Sequence, residues 1–169
     1  LIYLKQHGHE FLVISTGETN DSRNPAFFQA LKNTIQSQCL DDNFRILGIL
    51  PYPHVLTLMK DSIAVINPSL FEGWSTTVEE SKALGKKLIL SDIPVHREQN
   101  PERGFYFGPH DYIALAHTLI DVTKNHNLRD EKIYRARAKS QNITQVLSFA
   151  KQYEEIICEV LNDASHHAT

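Results

Sequence analysis

Ile63-Ala-Val-Ile66, followed by Ser69-Leu-Phe-Glu-Gly-Trp-Ser-Thr-Thr-Val-Glu-Glu80 and Ser81-Lys-Ala-Leu-Gly85, is the stretch from which the fold is read. An apolar run of strand length feeds a glycine-containing loop. The loop opens directly into a short helix that Gly85 stops. A strand, a tight turn and a helix N-terminus form a ready anion site. First-turn backbone N–H groups lack partners, and the helix dipole favours negative charge there. Glu72 and Glu80 bracket that turn, eight positions apart. A carboxylate is out of place in a plain phosphate cradle; it suits a ligand that carries hydroxyls beside its phosphates.

Upstream, Phe11-Leu-Val-Ile-Ser15 reads as a buried strand and Asn20 to Pro25 as a polar loop. Ala26 to Leu40 has helical spacing, Phe44-Arg-Ile-Leu-Gly48 is a second strand left by Ile49-Leu-Pro51, and His54 to Lys60 is a short helix. Downstream, Lys87-Leu-Ile-Leu-Ser91 and Gly104-Phe-Tyr-Phe107 read as strands. Tyr112 to Val122, Lys132 to Ser140 and Val146 to Leu161 read as helices. Apolar strands alternating with helices predict a Rossmann-like parallel sheet with helices on both faces. Ligands on such sheets bind beyond the carboxyl ends of the strands. Leu50-Pro51, Ser69 to Thr77 and Ser91 to Glu98 all fall at that edge, so three loops are expected to meet in one crevice.

The 169 residues suffice for one domain with a real core, taken here as residues 1–169. A net charge of -3 argues against a nucleic-acid partner. Cys39 and Cys158 lie far apart in helix-like contexts and read as reduced and buried, which suits a cytoplasmic setting. No apolar stretch approaches a membrane span, and no leader-like pattern is present. The sequons Asn20-Asp-Ser22 and Asn142-Ile-Thr144 therefore receive no weight. Leu1-Ile-Tyr-Leu-Lys-Gln-His-Gly8 reads as the end of a helix with a glycine stop, so a piece of a longer polypeptide is expected.

The same residues have plainer readings. Thr76 with Glu79, or Thr77 with Glu80, fits a capping box, and capping is compatible with ligand binding by the other acid. Glu72 could be a solvated loop acid, and Trp74, the single tryptophan, more commonly packs in a core. His96 and Arg97 could serve loop hydrogen bonding. The nine histidines form no metal pattern, since the close pairs His7/His9 and His166/His167 lack a neighbouring cysteine or carboxylate at ligand spacing. Ser75 lacks the second glycine of a nucleophile elbow. Neither a dinucleotide fingerprint nor a P-loop occurs.

Pro68-Ser-Leu-Phe-Glu-Gly-Trp-Ser-Thr-Thr-Val-Glu-Glu-Ser-Lys-Ala-Leu-Gly-Lys-Lys-Leu-Ile-Leu-Ser-Asp92 resembles the signature of the group 1 (family 4) glycosyltransferases of GT-B fold. The resemblance runs from about Leu1 to Leu161. It takes in Arg45-Ile-Leu-Gly48, Ile93-Pro-Val-His-Arg-Glu-Gln99 and Tyr106-Phe-Gly-Pro-His-Asp111. It implies the C-terminal, donor-binding domain of a two-domain enzyme that transfers a hexosyl group from a nucleotide-diphosphate sugar with retention of configuration. On that resemblance, Glu72 stands near the donor sugar and the reacting centre, and Glu80 bonds the ribose hydroxyls. The turn Gly73-Trp74-Ser75-Thr76-Thr77 receives sugar and diphosphate, and Leu50 and Pro51 flank the base. No metal and no cofactor are implied. The expected setting is cytoplasmic polysaccharide or glycolipid assembly, with any peripheral membrane attachment belonging to the absent half.

Three departures stand out. Ser75 replaces a second glycine and is expected to narrow donor choice. Glu79 replaces a leucine and competes with Glu80 for the ribose. Lys87 replaces a proline. The resemblance also implies a first, central strand, a basic loop and an N-terminal acceptor domain that are not in this sequence. Exposed strand edges, self-association and an inactive isolated domain are the expectation. A non-catalytic nucleotide- or phosphate-binding module is the leading alternative. A sugar-nucleotide epimerase of similar layout and a purely structural α/β domain are the others.

Overall fold

Lys87–Ser91 (β4) is apolar between its ends, and every one of its five residues is buried. The computed structural model describes residues 1–19 and 24–166, with side chains through residue 161. Most of the loop read at Asn20 to Pro25, and the sequon Asn20-Asp-Ser22, lie outside the described residues. Around β4 the order is α1 (Ile2–Gln6), β1 (Val13–Thr16), α2 (Pro25–Ser37), β2 (Phe44–Gly48), α3 (Tyr52–Asp61), β3 (Ala64–Asn67), α4 (Thr76–Ala83), β4, α5 (Pro94–Gln99), β5 (Gly104–Phe107), α6 (Tyr112–Lys124) and α7 (Leu128–His166).

All strand pairs are parallel, as the alternating pattern predicts, but the strands form two sheets, β1-β2 and β3-β4-β5. Among the described residues, β1 and β3 each have a hydrogen-bonded partner on one side only. In the three-stranded sheet the alternation of β4 decides the layers. Leu88 and Leu90 pack with Val78 of α4 on one face, while Ile89 packs with Val122 of α6 and Phe107 of β5 on the other. Burying each such side chain stabilises by about 1.5–3 kcal/mol. The expectation of helices on both faces holds here. It does not hold for β1-β2, which alternate between half-buried and exposed residues. Leu12, Ile14 and Leu47 lie exposed on one side of that pair. The run at Phe11 to Ser15 is therefore a half-buried strand, not a buried one.

Other corrections have local causes. Ser91 to Glu98, read as a loop, contains α5; Pro94 supplies the fixed φ of a first helical position. The two closing helices are one, because Gln141-Asn-Ile-Thr-Gln145 holds neither glycine nor proline to stop it. Both cysteines are free but exposed. Cys39 sits in the turn after α2 at φ 50°, and Cys158 lies on the stretch of α7 beyond Asn142, whose described residues are all exposed. Among the described residues, no helix is long and apolar enough to cross a membrane.

The end of the sheet opposite the strands' carboxyl termini is held by charge. Glu131 at the start of α7 accepts from Lys86 at 3.2 Å and from Arg103 at 2.6 Å, and all three side chains are buried. Lys86 also reaches the carbonyls of Lys60 and Ser62, and Arg103 that of Gly85 at 2.6 Å. Gly85 has φ +66°, and a Cβ there would lie 2.6 Å from the Tyr134 carbonyl oxygen, so only glycine lets the α7 backbone approach. Lys87, the family departure, donates to the carbonyls of Val122 and Asn125 at the end of α6, a favourable place for a cation. Burial pushes its ammonium pKa down.

Burial raises the Glu131 pKa, but the hydrogen bonds and charges of Arg103 and Lys86 outweigh it and hold the carboxyl below the usual range. A depressed carboxyl contributes stability above its unfolded pKa, about 4.3, and loses it as pH falls through the folded value. Glu131→Gln should cost about 3–5 kcal/mol near neutral pH, because it strands two buried cations. In chemical denaturation the gap between variant and parent should close as pH drops from about 4.3 downward.

Candidate functional site

Asn67 ends β3, and the loop from Pro68 to Trp74 turns the chain into α4, whose N-cap residue is Ser75. No side chain caps this helix, so the capping-box reading of Thr76/Glu79 or Thr77/Glu80 is not realised. The N–H groups of Ser75, Thr76, Thr77 and Val78 donate to no acceptor among the described residues. Both acids are turned elsewhere. Glu79 accepts from Lys82 at 3.1 Å and from Gln99 at 3.0 Å, toward α5. Glu80 accepts from the Tyr52 hydroxyl at 3.0 Å, toward the segment that leaves β2. That bond is the main reason the exposed Tyr52 phenol pKa is raised. Glu80, not Glu79, therefore faces Leu50-Pro51, where Pro51 is the N-cap residue of α3.

Glu72 is half-buried and has no cation within ion-pair distance among the described residues. Its Oε1 accepts from Asn67 Nδ2 at 3.1 Å and from Ser69 Oγ at 2.8 Å. Gly73 beside it has open space where a Cβ would stand. Trp74 does not pack in the core; it is 53% exposed, and Phe71 is 87% exposed. Ser75, a departure from the family pattern, is 3% exposed and turns its hydroxyl inward to accept from Asn67 Nδ2 at 2.9 Å.

The third loop joins from beneath. Ser91 Oγ donates to the Ser69 carbonyl. His96 is fully buried, and its Nδ1 lies 2.8 Å from the Ser91 carbonyl, the donor arrangement for that nitrogen. Gln99 Nε2 donates to the Ser75 carbonyl at 2.8 Å as well as to Glu79. Arg97 is committed to Asp92 through two bonds of 2.6 and 2.7 Å and lies over the Tyr106 ring. The hydrogen bonds of Arg97 keep the Asp92 carboxyl below its usual range. His96 and Arg97 thus do the loop hydrogen bonding that was their plainer reading. The three loops converge as the topology predicts. Sequence reading missed the residues that join them, Tyr52, Asn67 and Gln99. The only signal was their place just after a strand or at the end of a crevice segment.

The mouth of α4 is thus a helix start with unpaired amides, one carboxylate on each side and an open glycine between. Lys82 and Arg97, the cations on these segments, are already paired. Among the described residues, no three histidine, cysteine, aspartate or glutamate side chains are grouped to hold a metal ion.

By class, this is a Rossmann-like α/β fold with parallel strands flanked by helices. The family model for glycosyl transferases group 1 matches residues 4–139, and the chain belongs to that family. A search of curated proteins returns no significant match. Among solved structures, a glycosyltransferase from Rickettsia africae ESF-5 is similar at TM-score 0.73 and 22% identity, covering 92% of this chain and 42% of that one. Sucrose-phosphate synthase from Thermosynechococcus elongatus is similar at TM-score 0.68 and 17% identity, covering 93% of this chain and 41% of that one. At these identities the likeness shows the fold, that of GT-B glycosyltransferases. The chain spans about two fifths of either structure.

Gln99 holds the base of this mouth. Gln99→Leu should lower stability by about 0.5–1.5 kcal/mol, because it removes the 2.8 Å bond to the Ser75 carbonyl, which then keeps only the 3.3 Å bond from the Glu79 N–H. Thermal or chemical denaturation of the 169-residue chain reads the change.

Proposed function

We propose that this chain is the donor-binding domain of a retaining hexosyltransferase that uses a nucleotide-diphosphate sugar and works together with an N-terminal acceptor domain. One observation carries the reading: unpaired first-turn amides of α4 stand between two carboxylates that have no cationic partner among the described residues. Amides at a positive helix end suit diphosphate oxygens. Uncompensated carboxylates beside them suit neutral hydroxyls, which they accept strongly, and repel a bare phosphate.

In this reading the backbone N–H groups of Ser75, Thr76 and Thr77 take the diphosphate and sugar, and Gly73 leaves room for them. Glu80 exchanges its bond with Tyr52 for bonds to the ribose diol, close to Leu50 and Pro51, which flank the base. Trp74 lends an exposed apolar face beside the sugar. Glu72 stands at the anomeric centre, where a carboxylate stabilises positive charge that develops as the C1–O bond to the diphosphate breaks. The acceptor oxygen forms the new C1–O bond as the C1–O bond to the diphosphate breaks; the nucleoside diphosphate leaves with that electron pair, and its departing oxygen takes the acceptor's proton. The helix mouth alone offsets only part of the leaving group's charge. Cations from outside this sequence complete that task, so the isolated chain is inactive. The unpaired edges of β1 and β3 favour its self-association. Cytoplasmic polysaccharide or glycolipid assembly is the setting that goes with this reading.

A screen of UDP-, GDP- and ADP-hexoses against the full-length protein, with released nucleoside diphosphate as readout, tests the assignment. Glu80→Gln should weaken nucleotide binding about ten- to a hundredfold, the equivalent of one charge-assisted bond of about 1.5–3 kcal/mol. Glu79→Gln should leave it within about twofold. Glu72→Gln should lower turnover about a hundred- to a thousandfold, leaving a measurable residual rate, while nucleotide affinity stays. Loss of affinity alone in Glu72→Gln would favour a binding module without catalysis.

A further inference from the structure

Asn67 gathers the polar contacts that the proposed activity leaves unexplained. It is 7% exposed, at the last position of β3. Its Nδ2 donates both to Glu72 Oε1 at 3.1 Å and to Ser75 Oγ at 2.9 Å, and its Oδ1 accepts from the Ser69 N–H at 3.2 Å. The amide is thereby used as a double donor and an acceptor at once, which asparagine can do and aspartate or leucine cannot. Ser69 Oγ supplies a second bond to the same Glu72 oxygen at 2.8 Å. Glu72 Oε1 is thus held by two neutral donors, while Oε2 accepts from no side chain or backbone N–H among the described residues.

Neutral donors fix a carboxylate without cancelling its charge. The same amide that grips Glu72 also grips the residue that caps α4. The acid and the helix mouth therefore share one anchor, itself fixed at the end of a strand paired to the fully buried β4. We propose that Asn67 is a positioning residue for the transfer step: it holds Glu72 by one oxygen, presents the other to the reacting centre and sets its distance from the amides of α4. This rests on the assignment of Glu72 to the reacting centre made above.

The full-length protein, assayed with UDP-, GDP- and ADP-hexoses, tests it. Asn67→Ala should lower kcat about ten- to a hundredfold, the scale of a misplaced catalytic group, with donor KM changed less than about threefold. In a Glu72→Ala background the same change should cost less than about twofold, because its effect runs through the missing carboxylate. Ser69→Ala, which removes the other donor to that oxygen without disturbing a buried amide, should lower kcat a few-fold at unchanged KM. It keeps the test decisive if Asn67→Ala lowers the thermal midpoint too far for assay. Equal losses in both backgrounds, or a rise in KM with kcat intact in Asn67→Ala or Ser69→Ala, would overturn the proposal. Full turnover by Glu72→Ala alone would instead overturn the assignment beneath it, so the two failures are read on different variants.

Discussion

The buried meeting of Glu131 with Lys86 and Arg103 is the interaction on which the larger sheet depends. Lys86 adjoins β4 and reaches back to the end of α3, Arg103 adjoins β5, and Glu131 opens α7. One carboxylate thus fixes the amino-terminal ends of two neighbouring strands against two helices. A buried pair of this kind is not a large net source of stability, but it strongly disfavours any arrangement that leaves a member alone. It therefore favours the observed register of β4 against β5, and the candidate site lies at the opposite, carboxyl ends of β3 and β4. Those ends form the floor of the site.

At the other end of the strands the chemistry is of the opposite kind. No buried ion pair is found in the mouth of α4 among the described residues; neutral donors from Asn67, Ser69, Tyr52 and Gln99 do the holding. Glu72 and Glu80 are held in that way and have no cationic partner among the described residues. Under the proposed function, such a site suits hydroxyls and positive charge that develops during bond breaking. This division of labour is consistent with a group 1 glycosyltransferase domain whose similar solved structures are more than twice its length.

Much of the architecture was legible because its signals are local. Phe44 to Gly48, Lys87 to Ser91 and Gly104 to Phe107 are short apolar runs bounded by glycine or polar residues, and the structure has strands with those same bounds. The turn between Glu72 and Glu80 could be found for the same reason. Three features were not legible. Which of two adjacent glutamates faces the crevice depends on Tyr52 and Gln99, 28 and 20 residues away. The inward turn of Ser75 depends on Asn67, whose alternative as an ordinary strand residue looks identical in sequence. The uncovered side of β1-β2 follows from which elements pack there, which no periodicity in Phe11 to Ser15 reveals.

The division of the strands into two sheets bears on cooperativity. Among the described residues no backbone ladder joins the two sheets, and side-chain contacts bridge them, among them Tyr3 of α1, whose ring meets His117 of α6 at 5.7 Å. Side-chain contacts of that sort are broken without unzipping a ladder. The β1-β2 unit with α2 should accordingly behave as its own foldon, its amides exchanging with solvent through a local opening of lower free energy than the global transition that releases β4.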